Sequence, residues 1–336
     1  MIGTEFNSKN LYLSLPSIKK PRVKLAVDSS VNLKNSFKLY NPFSLKARVL
    51  KFVCYWLIIL IPDSVLRIFL TRESNTSDFI KFLEYELGES FISSIYFATS
   101  KDKVVIQLQN KRSEIVGYIK FPLNETGIKH LHNEIKAYKI FSEIGIVENV
   151  LHTGFYENTP YILLKPLDGK VIRKSNGYAE VIAGKLLREN EAKLQLHPRA
   201  LGVLSDLKSL SLIEVHDKIL LMLEKADLSY RLAFEHGDFA PWNVIESNGK
   251  IIPLDFEFFV ENGLEHMDLF KFYYQQGTLI NNLRGSELIK NLVHALKVEE
   301  FDSLFSVFLG IEIVRKCKLE ENFAFETSLL NMLVEK

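Results

Sequence analysis

The spacing of hydrophobic and polar positions predicts a β-rich segment beginning near residue 92. Three short stretches rich in β-branched and aromatic residues, separated by charged turns, are typical of an antiparallel meander. Apolar residues then recur at helical spacing, and two more strand-like stretches follow. The pattern therefore predicts a βββαββ unit, a twisted five-stranded sheet with one helix. Its elements are predicted at residues 92–99, 104–109, 115–121, 130–141 (the helix), 150–155 and 161–164.

Beyond residue 167 the pattern is mainly helical. Periodic segments at 178–196 and 200–225 carry no strand signal, and two short strands are predicted around Val244 and Ile251. Further helices are predicted at 268–276, 286–297, 301–318 and 323–334. A small β-rich lobe, a short connector and a larger helical lobe make a two-lobed α+β architecture. The predicted domains are an extension at 1–75, an N-lobe at 76–165 and a C-lobe at 166–336.

The extension is predicted to be irregular and basic to about Pro42, then helical through Leu70. It holds 12 Lys and Arg against 4 Asp and Glu, a net charge of +8, whereas the rest of the chain carries −7. Its apolar run at 52–61 is too short to cross a bilayer, since a spanning helix needs about 20 residues. The pattern favours a buried helix docked on the body, and the basic flanking residues leave open a segment that lies on a membrane.

Cysteine usage and the first residues bear on the compartment. Cys54 and Cys317 provide no disulfide framework, so a reducing compartment is expected. Residues 1–15 are too polar for a signal peptide. The expected localisation is cytoplasmic, with peripheral membrane contact through residues 1–75 as an open alternative.

The densest group of chemically informative residues is FEHGDFAPWNV at 234–244, followed by PLDFE at 253–257. Phosphoryl transfer needs a carboxylate that orients and deprotonates the attacking hydroxyl, together with oxygen ligands for Mg²⁺. Mg²⁺ prefers hard oxygen ligands and keeps several waters, so one amide oxygen and one carboxylate suffice. The segment contains these groups.

A predicted hairpin brings two of these oxygen ligands together. The dipeptide Asn-Gly at 248–249, between two short strands, is a strong hairpin signal. Pairing outward from this turn sets 247 against 250 and, at the open end, 243 against 254. Asn243 is therefore predicted to lie beside Asp255, with Asp238 on the loop that enters the hairpin.

These residues resemble the aminoglycoside phosphotransferase and choline kinase families, which share the protein-kinase-like fold. The matching pattern is H-x-D-x-x-x-x-N, here His236, Asp238 and Asn243, followed by Asp255 on a strand. The resemblance implies an ATP-dependent phosphotransferase with Asp238 as the catalytic base and Asn243 and Asp255 as the Mg²⁺ ligands. It further implies that His236 braces the loop and that Asp268 anchors the loop backbone.

The resemblance extends upstream to the nucleotide contacts. Lys120 on the third strand matches the position of the phosphate-binding lysine, and Glu134 in the following helix matches its ion-pair partner. The connector backbone from Leu163 through Lys165 to Leu167 would hold the adenine.

One departure from the family pattern lies between the first two strands. The loop at 98–103 contains no glycine, whereas many kinases cover the phosphates with a glycine-rich loop. The hydroxyls of Thr99 and Ser100, with Lys101, are candidates to replace it. A pseudokinase that keeps the fold as a binding or scaffolding module is therefore a rival hypothesis.

The predicted acceptor is a small molecule. Only about a dozen residues separate Asp255 from Asp268, too few for the activation loop with which protein kinases bind a peptide. An aminoglycoside, an amino alcohol such as choline, and a sugar or glycolipid precursor all remain open. Glu257, Glu261 and Glu265 suit a cationic acceptor, whereas the basic extension suits a lipid-linked or polyanionic one. No nucleic-acid partner is expected.

Overall fold

Strand pairing and helix packing divide the chain into two units. The computed structural model describes residues 9–15, 19–27, 30–40, 45–60, 70–74, 77–97, 102–172 and 177–335. Unit 1 comprises Met1–Tyr138 and Glu148–Leu167, and unit 2 comprises Lys139–Val147 and Asp168–Lys336. The first is rich in strands and the second mainly helical, which confirms the predicted α+β architecture.

Unit 1 is built on an antiparallel sheet with the strand order β3-β1-β2-β4-β5-β6-β8-β7. Its strands are β1 (Lys9–Leu15), β2 (Val23–Ala26), β3 (Leu70–Ser74), β4 (Ile92–Phe97), β5 (Lys103–Gln109), β6 (Ile115–Pro122), β7 (Val150–Tyr156) and β8 (Thr159–Leu164). Its helices are α1 (Ser30–Ser36), α2 (Leu45–Leu60), α3 (Asp78–Leu87) and α4 (Glu125–Glu143), the last of which continues into unit 2.

The five predicted strands and the predicted helix of unit 1 are all present, as β4 to β8 and α4. The prediction of an irregular segment to about Pro42 is wrong, because β1 and β2 lengthen the same sheet and α1 follows them. The helix predicted through Leu70 includes α2, but residues 61–69 lie outside the described residues and Leu70 begins β3. The strands β1 to β3 are short and contain polar or charged residues such as Asn10, Lys24 and Arg72, so their sequence alone carries a weak signal. Pairing with neighbouring strands stabilises them, as in the register that sets Leu13 against Leu25.

Helix α3 is not among the helices predicted from the sequence, although its ends follow ordinary capping rules. The Ser77 hydroxyl accepts a hydrogen bond from the Ile80 N–H, and Gly88 ends the helix in the left-handed region at φ 67°. Its buried face, Phe79 and Leu83, packs with the apolar face of the sheet around Leu108. Helix and sheet thus bury each other's apolar side chains.

Helix α2 contains the apolar run of the extension. Ile58 is buried in a cluster with Leu25 and Phe37, but most of the other large apolar side chains of α2 are exposed. The prediction of a buried helix is therefore wrong for most of its surface. Within the described residues, no helix is both long enough and apolar enough to cross a membrane.

Unit 2 combines helices with two small antiparallel sheets, ordered β10-β11-β14 and β13-β12-β9. Its strands are β9 (Lys170–Val171), β10 (Leu187–Lys193), β11 (Ser229–Glu235), β12 (Val244–Ser247), β13 (Lys250–Pro253) and β14 (Val260–Leu264). Its helices are α5 (Tyr178–Lys185), α6 (Pro198–Ser209), α7 (Ile213–Glu224), α8 (Met267–Gln275), α9 (Gly285–Leu296), α10 (Phe301–Lys318) and α11 (Ala324–Val334).

The core of unit 2 lies between helices α6 to α11. Phe270, Phe305 and Phe308 are buried there, with ring centroids 5.5–5.9 Å apart. The aromatic residues of α10 thus form part of this core. Because this core fixes α8 and α10 against each other, it also fixes the positions of Lys271 on α8 and of Glu312 and Arg315 on α10.

Two helical predictions in unit 2 are wrong in part. The predicted helix at 178–196 ends at Lys185, and residues Leu187–Lys193 form a strand paired with β11. Glu, Lys and Ala favour a helix intrinsically, but tertiary pairing overrides that weak preference. The segment predicted at 200–225 is two helices, separated at residues 210–212.

Candidate active site

Strand β11 delivers the candidate catalytic loop, and its last residue is fixed by several polar contacts. The buried Glu235 carboxylate accepts hydrogen bonds from the Leu264 N–H at 2.7 Å and from the Arg199 guanidinium at 3.0–3.1 Å. Buried charges need such pairing, because an unpaired carboxylate is costly away from water. The loop therefore begins from a rigid point.

His236 follows and braces the loop, as predicted. Its side chain is buried, its Nε2–H donates to the Leu254 carbonyl at 2.9 Å, and its Nδ1 accepts the Asp238 N–H at 3.3 Å. This pattern requires a neutral ring, which agrees with its pKa, since burial lowers the pKa of His236. The imidazole thus links the loop to the strand that precedes Asp255.

Gly237 allows the tight turn between His236 and Asp238. Its φ is +78°, and a Cβ at this position would lie 2.0 Å from the Phe258 carbonyl oxygen. Both the backbone angle and the close approach require glycine. The glycine of the H-G-D motif is thus required for steric reasons.

Asp268 anchors the same turn from the start of α8, as predicted. Its two carboxylate oxygens accept the N–H groups of His236 at 2.8 Å and Gly237 at 3.1 Å. Burial and the nearby charge of Glu235 raise the pKa of Asp268 to about 7. Its side chain thus satisfies two backbone donors and holds the loop in one conformation.

The predicted hairpin is confirmed in its register. Ser247 pairs with Lys250 and Val244 with Pro253, and at the open end the Leu254 N–H donates to the Asn243 carbonyl at 2.8 Å. Asp255 is the next residue and adopts a left-handed φ of 66°. A carboxylate side chain tolerates this conformation better than most, and such angles are enriched at functional sites.

Asn243 is oriented by Asp238. Its amide Nδ2 donates to both the Asp238 carbonyl and the Asp238 Oδ2, each at 2.9 Å. Because the amide nitrogen already donates these two hydrogen bonds, the Asn243 Oδ1 is the atom suited to bind a cation. Together with the Asp255 carboxylate, this is a hard-oxygen donor set of the kind that Mg²⁺ prefers.

Two cations face Asp238 that the sequence analysis did not find. Arg315 Nη1 lies 3.0 Å and Lys271 Nζ 3.5 Å from Asp238 Oδ1. Burial acts to raise the pKa of Asp238, but the positive charges of Lys271 and Arg315 outweigh it and hold that pKa below its ordinary value. Asp238 is therefore an anion that is fixed on both oxygens.

These cations share Glu312 as a second anion. The buried Glu312 carboxylate accepts hydrogen bonds from Lys271 at 2.9–3.0 Å and from Arg315 at 2.9 Å, and the Arg315 guanidinium lies 5.4 Å from the centre of the Phe258 ring. The sequence signal that indicates Glu312 is a charged residue inside an otherwise apolar helical segment, GIEIV at 310–314. Sequence spacing could not show which loop it would meet.

The predicted nucleotide residues of unit 1 are partly brought together. Lys120 Nζ lies 2.5 Å from Glu134 Oε1, with both side chains largely buried, so the predicted ion pair is confirmed. Leu163 lies inside the sheet, between β6 and β7. The Lys165 N–H already donates to the Asn149 carbonyl at 2.7 Å, and Leu167 is the last residue of unit 1. Ser100, with Thr99 and Lys101, lies outside the described residues.

Comparisons with known proteins found similar solved structures. No family model and no curated protein matches the chain. An ethanolamine kinase from Plasmodium vivax is 12% identical, with a TM-score of 0.47, over 91% of this chain and 95% of its own. An aminoglycoside phosphotransferase solved with GDP and kanamycin is 12% identical, with a TM-score of 0.46, over 77% and 96%.

A choline kinase from Cryptosporidium parvum is 11% identical, with a TM-score of 0.44, over 73% of this chain and 88% of its own. All three of these solved structures are, by name, of kinases or phosphotransferases.

Proposed function

We propose that this protein is an ATP-dependent phosphotransferase that acts on a hydroxyl group of a small molecule. The observation that carries the proposal is the arrangement around Asp238. This carboxylate is held by Asn243, Lys271 and Arg315 on a loop that His236 and Asp268 brace. Phosphoryl transfer depends mainly on positioning and electrostatics, and this loop is rigid and charged.

Asp238 is the proposed base. Its carboxylate would accept a hydrogen bond from the acceptor hydroxyl, orient the oxygen toward the phosphate and take the proton as the bond forms. A low pKa does not prevent this role, because the transition state of phosphoryl transfer is loose and the proton moves late. The cations that lower the pKa of Asp238 also keep it ionised at neutral pH.

Asn243 and Asp255 are the proposed Mg²⁺ ligands, through the Asn243 Oδ1 and the Asp255 carboxylate. Mg²⁺ bound there would neutralise charge on the nucleotide phosphates. In unit 1 we assign phosphate binding to Lys120, which Glu134 orients. Adenine contacts are predicted for the backbone of Leu163, Lys165 and Leu167. Because Leu163 is paired within the sheet and the Lys165 N–H already donates a hydrogen bond, we assign these contacts to the Lys165 carbonyl and the Leu167 backbone.

Removal of the metal or of its proposed carboxylate ligand is expected to abolish ATP consumption. We expect EDTA to stop turnover, excess Mg²⁺ to restore it, and Asp255→Ala to lower it by about 10²-fold or more, since both the charge and the ligand are lost. The measurement is ADP release over a panel of aminoglycosides, amino alcohols and sugars.

A matched control is Asp206→Ala, a half-exposed carboxylate on α6 that pairs with Lys318. It should leave turnover unchanged. Two results together would support the pseudokinase instead. Wild type would bind no nucleotide with Mg²⁺ present, and Asp255→Ala would release ADP at the same rate as wild type.

A further inference from the structure

Helix α2 exposes an apolar surface that is unusual for a folded protein. Eight of its large apolar side chains are 42–73% exposed: Val49, Leu50, Phe52, Val53, Trp56, Leu57, Ile59 and Leu60. Single exposed apolar residues are ordinary, but contiguous patches of this kind mark interaction sites. We call these eight residues the α2 face.

The opposite side of α2 holds the helix on unit 1. Ile58 is buried, and Cys54 and Tyr55 are partly buried in the cluster that contains Phe37. The Phe37 and Tyr55 rings meet edge to face at 5.4 Å between centroids. Residues at 54, 55 and 58 share one side of a helix, since residues three and four apart are neighbours. The helix is therefore attached by one strip, and the α2 face points away from the described part of unit 1.

The length and composition of α2 fit a helix that lies along a bilayer. Its 16 residues extend about 24 Å, shorter than the roughly 30 Å hydrocarbon core. Phe52 and Trp56 lie together on the face, 6.1 Å between ring centroids. Tryptophan is enriched where an apolar ring meets lipid headgroups.

The charge of this part of the chain distinguishes between two possible partners of the α2 face, a lipid bilayer and a second copy of the chain. Residues 1–75 carry a net +8, and Arg48 on α2 is exposed. A two-fold dimer through the α2 face would place this basic segment against itself, because such an interface uses the same surface on both subunits. An anionic membrane has the complementary charge and attracts basic residues that lie near its surface.

We propose that the α2 face docks on an anionic lipid bilayer, with α2 lying in the headgroup region, where Arg48 contacts anionic headgroups and the net positive charge of residues 1–75 favours the approach. The docking is independent of phosphotransferase activity. It holds the protein at the membrane surface through α2, a helix that is too short to span the bilayer.

The test is flotation of the full-length chain with lipid vesicles. Wild type is expected to float with vesicles of phosphatidylcholine and phosphatidylserine and to bind pure phosphatidylcholine more weakly. Phe52→Glu with Trp56→Glu should lower the vesicle-bound fraction at least about tenfold, because each change removes buried apolar area and adds a repelled charge.

The matched control is Phe155→Glu on β7 of the same unit, since Phe155 is 62% exposed and Phe52 is 63% exposed. This variant should bind vesicles like wild type. Thermal melting of all variants checks folding, which exposed positions should not alter.

A second readout uses Trp242→Phe, which leaves Trp56 as the sole tryptophan of the chain. Its emission should shift to the blue on addition of anionic vesicles. Absence of vesicle binding by wild type would overturn the proposal. A dimer in light scattering that Phe52→Glu dissociates, without vesicle binding, would assign the α2 face to a second copy instead.

Discussion

Replacement of Asp238 by asparagine is expected to lower kcat by about 10²–10⁴-fold, the contribution typical of a positioned general base. Asparagine keeps the size of the side chain but cannot accept the proton. Its amide would also place an N–H₂ group against either the Asn243 amide or the Arg315 guanidinium, which both donate to Asp238. We expect nucleotide binding to remain, since Asp238 is not assigned to the nucleotide or the metal.

Steady-state kinetics with the best acceptor measure kcat, and titration with a non-hydrolysable ATP analogue measures binding. Asp206→Asn, outside the candidate site, serves as the control and should behave as wild type. A kcat close to that of wild type in Asp238→Asn would remove Asp238 from the role of base.

Replacement of Lys271 by methionine is expected to cost about 3 kcal/mol of unfolding free energy. The Lys271 and Glu312 side chains are only 2–3% exposed, and removal of one partner leaves a buried charge with reduced compensation. Breaking such a pair typically costs about 3–5 kcal/mol. We place the loss at the lower end because Arg315 still donates to Glu312.

Chemical denaturation measures this loss. The matched control is Lys318→Met on α10, whose ion pair with Asp206 is about half-exposed at 52% and 45%, and which should cost less than about 1 kcal/mol. The double variant Lys271→Met with Glu312→Leu should recover part of the loss, since the buried Glu312 carboxylate with reduced compensation is then removed as well. Equal losses for Lys271→Met and Lys318→Met would contradict this account of the cluster.

Local signals explain why the hairpin of the candidate active site could be predicted from sequence. The Asn-Gly turn fixes the register, so the neighbours of Asn243 follow from counting residues. His236 and Asp268 were placed by the motif alone, and their contacts agree with it. The strands β4 to β8 carry enough β-branched residues to be recognised one by one.

Contacts between residues that lie far apart in the sequence explain why the other features could not be predicted. Lys271 and Arg315 come from separate helices, α8 and α10, and meet Asp238 only because the aromatic core fixes those helices. Strand β10 has the composition of a helix and becomes a strand through pairing with β11. The α2 face could not be predicted either, because the apolar run has no polar side. The sequence therefore does not specify which side of the helix packs and which is exposed.

The central claim, phosphate transfer to a hydroxyl group, is tested most directly by ATP labelled in its γ-phosphate. Full-length protein, Mg²⁺ and the acceptor panel are incubated with this nucleotide, and the label is followed by chromatography and mass spectrometry. We predict a labelled phosphate ester on a small hydroxyl compound with wild type, and its loss with Asp238→Asn. Label that appears only as inorganic phosphate, or remains on ATP with every acceptor, would contradict the proposed function.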